Sequence, residues 1–238
     1  MSVFYEDLTP SAFRKRLAAA PVAYLPLGTL EWHGEHLPLG TDLIISRSFF
    51  ATLAENVGGI VLPGFFLGPD RITTIDGHDY IGMDTEPSQP KHLDGSAYWI
   101  PDGLYADMLY AALKQLKRAG FKVVVAHGHG PSTGIFAQNL EKWEQELSLR
   151  LLHCWHQGGG EGIQTDHAGI NETSLTLLYR PDVVELSALE EDEFSGSMFG
   201  NTPFADASAK HGANVAAIHA TRMESLIKSA LGGDTCTS

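Results

Sequence analysis

Directly after the apolar run Val22–Leu27, the chain places Glu31, His33, Glu35, His36 and Asp42 within one short stretch. Carboxylates and imidazoles this dense beside a buried segment are costly unless something pairs them. A divalent cation is a natural partner, because neutral imidazole and carboxylate suit zinc, manganese or iron. If Glu31-Trp32-His33 is extended, its first and third side chains point the same way and could face one ion. The competing reading is a polar surface loop with two stray histidines. Two later stretches have the same character. His127-Gly128-His129-Gly130-Pro131-Ser132 follows the β-branched run Phe121–Ala126, and Asp166-His167-Ala168-Gly169 leads into Glu172-Thr173-Ser174. Glycines on either side of His129 would let the backbone turn sharply and come close to an ion.

Such clusters need rigid elements to aim them. Thr9-Pro10 reads as a helix start, with Thr9 as cap and Pro10 in the first turn. Strands are predicted over 22–27, 60–63, 121–126 and 149–155. Helices are predicted over 11–20, 43–57, 102–119, 133–147, about 172–179 and within 203–231. The most regular is 102–119, where Leu104, Met108, Leu109, Ala112, Leu113 and Leu116 recur at helical spacing and Gly120 supplies the stop. Residues 64–100 have weak periodicity and many breakers, and read as a substrate-side loop region with some strand in it. Alternating helices and apolar strands predict an α/β fold, a three-layer α/β/α sandwich on a mostly parallel sheet. Sites in such sheets lie beyond the carboxyl ends of the strands, and all three polar clusters fall there.

The stretch Pro26-Leu27-Gly28-Thr29-Leu30-Glu31-Trp32-His33-Gly34-Glu35-His36-Leu37-Pro38-Leu39-Gly40-Thr41-Asp42 resembles the signature of the creatininase family, P-x-G-S-x-E-Q-H-G-P-H-L-P-L-G-T-D. Thr29 stands for Ser, Trp32 for Gln and Glu35 for Pro. The second cluster is similar to the family's N-G-H-G-G-N and the third to H-A-G-x-x-E-T-S. The resemblance implies a creatininase-like fold and two divalent ions per chain (Zn, Mn or Fe). Glu31 and His129 would hold one ion and His33 the other, with Asp42 bridging them. His167 would be the catalytic histidine, carrying a proton to the leaving atom. The family's carboxylate two residues after the His129 position is replaced here by Pro131, which cannot ligate. Glu172 is therefore expected at the second ion, against the alternative of a first-turn glutamate favoured by the helix dipole. His36, His127 and Asp166 are expected as neighbours of the ligands or of the substrate, with His36 orienting Asp42 or Glu31. Gly200-Asn201-Thr202-Pro203 extends the resemblance toward the C-terminus.

These features imply a hydrolase that uses a water activated between two ions to open a small, cyclic carbonyl compound, with a non-peptide amide C–N bond as the leading target. The family's substrate-contact aromatics do not map, with Trp155 only a loose counterpart, and its F-P-G-T segment is reduced to Leu93-Asp94-Gly95-Ser96. Both differences argue against creatinine. Cleavage of a cyclic ketone or lactone, or a mononuclear metal lyase or isomerase, are the alternatives. The family also implies a homo-oligomer, commonly a hexamer.

Composition bounds the rest. A chain of 238 residues with 43% hydrophobic and 19% charged residues is expected as a single domain spanning 1–238, with a frayed tail over 232–238. A net charge of −13 argues against a nucleic-acid surface. Cys154 and Cys236 are too few for a disulfide framework or a cysteine-ligated zinc. There is no signal-like start and no apolar run near the roughly 18 residues of a membrane span, so a cytoplasmic protein with no membrane partner is expected.

Overall fold

The computed structural model describes residues 1–85, 92–155, 163, 166–188 and 206–232. Four parallel strands form the central sheet: β1 (Val22–Leu27), β2 (Ile60–Val61), β5 (Val123–Gly128) and β6 (Arg150–His153), in the order β2-β1-β5-β6. A separate antiparallel hairpin, β3 (Ile72–Ile75) and β4 (His78–Ile81), lies within the predicted loop region. The helices are α1 (Pro10–Ala19), α2 (Thr41–Asn56), α3 (Asp102–Ala119), α4 (Gly130–Leu147), α5 (Ile170–Tyr179) and α6 (Ala209–Gly232).

Side-chain alternation along the strands separates two cores. Val22, Tyr24, Val123 and Val125 face Ile45, Phe49, Phe50 and Leu53 of α2, Leu175 of α5, and Met223 and Ile227 of α6. Ala23, Leu25, Leu27, Val124 and Ala126 face Tyr105, Leu109 and Leu113 of α3, with Phe136 and Trp143 of α4. Leu17 and Phe13 of α1 pack on this second face. The sheet is therefore buried on both sides, as an all-parallel sheet requires, and the three-layer sandwich is the observed architecture.

The helix ends follow the local chemistry. Thr9 Oγ1 accepts the Ala12 N–H at 3.3 Å, with Pro10 in the first turn of α1. Gly120 closes α3 at φ 104° and returns its N–H to the last carbonyls. Two helices start earlier than periodicity predicts. In α2 this brings Asp42 into the first turn. In α4 it brings in Pro131, whose missing N–H costs nothing at a helix start. The Gly158-Gly159-Gly160 loop, the Gly200–Pro203 motif and the tail from 233 lie outside the described residues.

Candidate metal centre

β1 and β5 are adjacent and in register, so Leu27 pairs with Gly128 and the two polar loops leave the sheet side by side. The turn after β5 is unusually tight. The His129 N–H donates to the Leu27 carbonyl at 2.6 Å, and Gly128 has φ 145°. A Cβ on Gly128 would stand 1.8 Å from that carbonyl oxygen, so only glycine fits. Gly130 has no such crowding, with nothing near its Cβ position. His129 then caps α4, Asp42 lies in the first turn of α2, and Glu172 lies in the first turn of α5. Three helix amino ends thus converge on the cluster, and their dipoles favour the two carboxylates placed there.

The five expected ligands come together and are all buried: Glu31, His33, Asp42, His129 and Glu172. His33 shows most directly what they surround. Its Nδ1 lies 3.1 Å from the Glu31 carbonyl. A carbonyl only accepts, so Nδ1 carries the proton and Nε2 presents a lone pair. That lone pair faces three carboxylate oxygens, from Asp42 at 3.6 Å, Glu172 at 3.7 Å and Glu31 at 3.8 Å. Acceptors aimed at acceptors need a cation or a proton between them. Burial, with the neighbouring His167, pushes His33 down to about 3, so it does not supply the proton. Tetrahedral ligands about 2.0–2.2 Å from an ion stand roughly 3.3–3.6 Å apart, close to these separations. The donors therefore fit a divalent metal in both chemistry and spacing.

Three groups of ligand atoms lie within 4.8 Å of one another: Glu31, Asp70 and His129; His33, Asp42 and Glu172; and Glu31, His33 and His167. His129 Nε2 stands 3.6 Å from Glu31 and 3.3 Å from Asp70. Burial raises Glu31 well above the usual carboxylate range, with Asp42, Asp70 and Glu172 adding to the effect. Burial also works to raise Asp42, but His33, His129 and His167 outweigh it and hold Asp42 low. Glu31 and Asp42 share a hydrogen bond, which two carboxylates can make only around a proton.

His167 is positioned like His33. Its Nε2 donates to the Trp32 carbonyl at 2.7 Å, which turns Nδ1 toward Glu31 at 3.9 Å. Burial lowers its pKa, so its free nitrogen is an acceptor. Trp32, which follows Glu31 and precedes His33, packs with Leu37, Met83 and Ala168 in a small apolar cluster.

The expected neighbours take up specific places. Asp166 accepts the Asn171 and Glu172 N–H groups at 2.9 and 3.1 Å, performing for α5 the capping that Gly169 cannot. Glu172 reaches back to accept the Ala168 N–H at 2.7 Å, so the helix-start role and the site-facing role coexist in one side chain. His36 Nε2 lies 2.9 Å from Thr173 Oγ1, which ties it to α5 beside Glu172. His127 is fully buried at the end of β5, on the same strand face as Val123 and Val125. Asp70, which sequence reasoning left among the other acidic loop residues, is the unanticipated member of the cluster. The signal that finds it is spatial: it sits beside two residues that no sequence spacing relates to it.

The fold and this centre define a class, an α/β protein whose buried acid–imidazole cluster beyond the strand ends is built to hold divalent cations. Residues 6–230 match the model of the family described as Creatininase: Creatinine amidohydrolase. A creatinine amidohydrolase of Pseudomonas putida is 27% identical, aligned over 78% of this chain and 75% of its own. A crystal structure of creatinine amidohydrolase superposes with TM-score 0.72 at 21% identity, covering 100% of this chain and 99% of its own. A creatininase mutant of Zn–Zn type gives 0.74 at 20% identity, covering 96% and 98%, and a manganese creatininase gives 0.72 at 21%, with the same coverage. The chain belongs to the creatininase family. It is a metal-dependent hydrolase of the amidohydrolase type, and among the described residues no helix is long and apolar enough to cross a membrane.

Proposed function

We propose that this chain is a two-metal hydrolase that opens a small cyclic carbonyl compound at a non-peptide amide C–N bond. The observation that carries this reading is the His33 lone pair facing three carboxylate oxygens at 3.6–3.8 Å in a buried centre. The name of the Pseudomonas putida relative and the Zn–Zn and manganese forms of the structural neighbours support the reaction class and the choice of metal.

Glu31 and His129 would hold one ion and His33 and Glu172 the other, with Asp42 shared between the pairs. When bound, such ions supply Lewis-acid polarisation of the substrate carbonyl and a more acidic water. The remaining work belongs to the side chains. His167 is neutral and anchored through Nε2, so its Nδ1 takes a proton on the cluster side and returns it to the departing nitrogen. The loop region 64–100 is the substrate side, and a homo-oligomer is the expected assembly.

The test is metal analysis of the purified protein, followed by a screen of cyclic amides, lactones and cyclic ketones on the same preparation. Two ions per chain with turnover of a cyclic amide is the expected result. A chain that binds no divalent cation would end this reading.

A further inference from the structure

Asp70 lies outside every motif, yet four independent contacts deliver its carboxylate to His129. The segment around Gly68 is clipped to a second stretch of the loop region. Gly68 N–H donates to the Tyr98 carbonyl at 3.2 Å, and Ile100 N–H donates to the Gly68 carbonyl at 3.2 Å. Trp99 Nε1 donates to the Asp70 carbonyl at 2.9 Å and fixes the backbone at that residue. The Arg71 N–H donates to Asp70 Oδ1 at 2.7 Å, which commits that oxygen and leaves Oδ2 to face His129 Nε2 at 3.3 Å.

Two glycines clear the way. A Cβ on Gly68 would stand 2.9 Å from Ser132 Oγ and 3.2 Å from His129 Nδ1, so a side chain there would crowd the imidazole and its hydroxyl partner. A Cβ on Gly82 would stand 2.2 Å from Asp70 Oδ2 itself. The space for this oxygen therefore depends on the missing side chain at Gly82, while Gly68 lets the segment lie beside His129. His129 meanwhile directs Nδ1 to Ser132 Oγ at 3.0 Å, so Nε2 is the nitrogen shared among Asp70 and Glu31.

We propose that Asp70 Oδ2 is a protein ligand of the ion held by Glu31 and His129, and that this bond ties the loop region 64–100 to the metal centre. The assignment rests on the metal reading of the site given above. It gives the first ion the carboxylates of Glu31 and Asp70 and the His129 imidazole beside the shared Asp42, a donor set suited to zinc or manganese.

The experiment measures zinc or manganese content after dialysis, and affinity by chelator competition, for the wild-type chain, Asp70→Asn, Gly82→Ala and Asp79→Asn. Asparagine keeps an acceptor for the Arg71 N–H and removes only the charge. Alanine at 82 keeps the carboxylate but pushes it away. Asp79 is an exposed acid of the same hairpin, bonded to Thr74, and serves as the control. Wild type and Asp79→Asn should hold two ions. Asp70→Asn and Gly82→Ala should each lose one ion, or bind it more than 100-fold more weakly, beyond the about 10–100-fold that losing an outer partner costs. Cobalt-loaded Asp70→Asn should also show a changed visible spectrum for that ion alone. Two ions at wild-type affinity, or within 100-fold of it, in a folded Asp70→Asn chain would overturn the assignment while leaving the two-metal site intact. A wild-type chain that takes up no ion would overturn the metal reading and this assignment with it.

Discussion

His33 and His167 stack with ring centroids 4.2 Å apart and an interplanar angle of 27°. Each ring is fixed through its outer nitrogen by a backbone carbonyl of the same short segment, Glu31 for His33 and Trp32 for His167. Both therefore present an unprotonated nitrogen to Glu31, at 3.8 Å from His33 and 3.9 Å from His167, and His33 alone also faces Asp42 and Glu172.

The pairing separates two roles by experiment. His167→Gln should retain both ions while kcat falls by about 10²–10⁴-fold, the usual worth of a positioned proton carrier. Metal analysis alongside steady-state kinetics reads both. If an ion leaves with the imidazole, His167 is a ligand with Glu31 and His33 rather than the proton carrier.

Glu31→Gln should have little effect on the ion-free fold. Burial already favours the protonated form of Glu31, which shares a hydrogen bond with Asp42, and an amide mimics that uncharged state. Denaturant unfolding in chelator should give a difference below about 1 kcal/mol, the worth of one net hydrogen bond. Metal content and turnover should both be abolished. A strongly destabilised ion-free variant would contradict the protonated state.

His36 predicts an acid limb in the stability of the ion-free chain. Burial lowers it from 6.5 to about 4, so the unfolded chain takes up this proton first as the pH falls. Above about 6.5 neither state binds it and the contribution is nil. Between about 6.5 and 4 folding is progressively penalised, by at most about 3 kcal/mol at the low end. His36→Gln can keep the contact to Thr173 and has no such titration. Relative to that variant, the wild type should lose stability across this window in chelator-treated samples; parallel curves would refute the assignment.

Asp166→Ala removes the acceptor for two N–H groups of α5. A cap of this kind is worth about 0.5–2 kcal/mol, measurable by urea unfolding. Because α5 carries Glu172, the ion shared with His33 should bind about 10-fold or more weakly while the His129 ion is unaffected. Equal weakening of both ions would mean that the cap acts on the whole domain instead.

The sandwich was legible because its signals are local. The β-branched run ending at Ala126 can only be a strand buried on both faces, and α3 shows its stripe over its full length. That the residues of clusters 31–42, 127–132 and 166–172 converge was legible because chain order places them after strands and because their spacing matches a family signature. Asp70 was not, since Asp76, Asp79, Asp84 and Asp94 share its surroundings in sequence and nothing along the chain marks it out. Its place depends on Gly68 lying against Ser132 and His129 and on Gly82 lying against the Asp70 carboxylate, relations without a period. The contact of His36 with Thr173 was hidden for the same reason: the two lie 2.9 Å apart in space and 137 residues apart along the chain.

The β1–β5 pairing joins residues a hundred positions apart, and Glu172 arrives later still. During synthesis, Glu31, His33 and Asp42 leave the ribosome long before His129 and α5 exist to complete their surroundings. The early fragment can offer a passing cation only a floppy partial chelate, because the walls that hold those donors apart come from the later half. On the proposed ligand set, tight metal capture is thus a terminal event of maturation, and retained metal would report that a newly made molecule has finished folding.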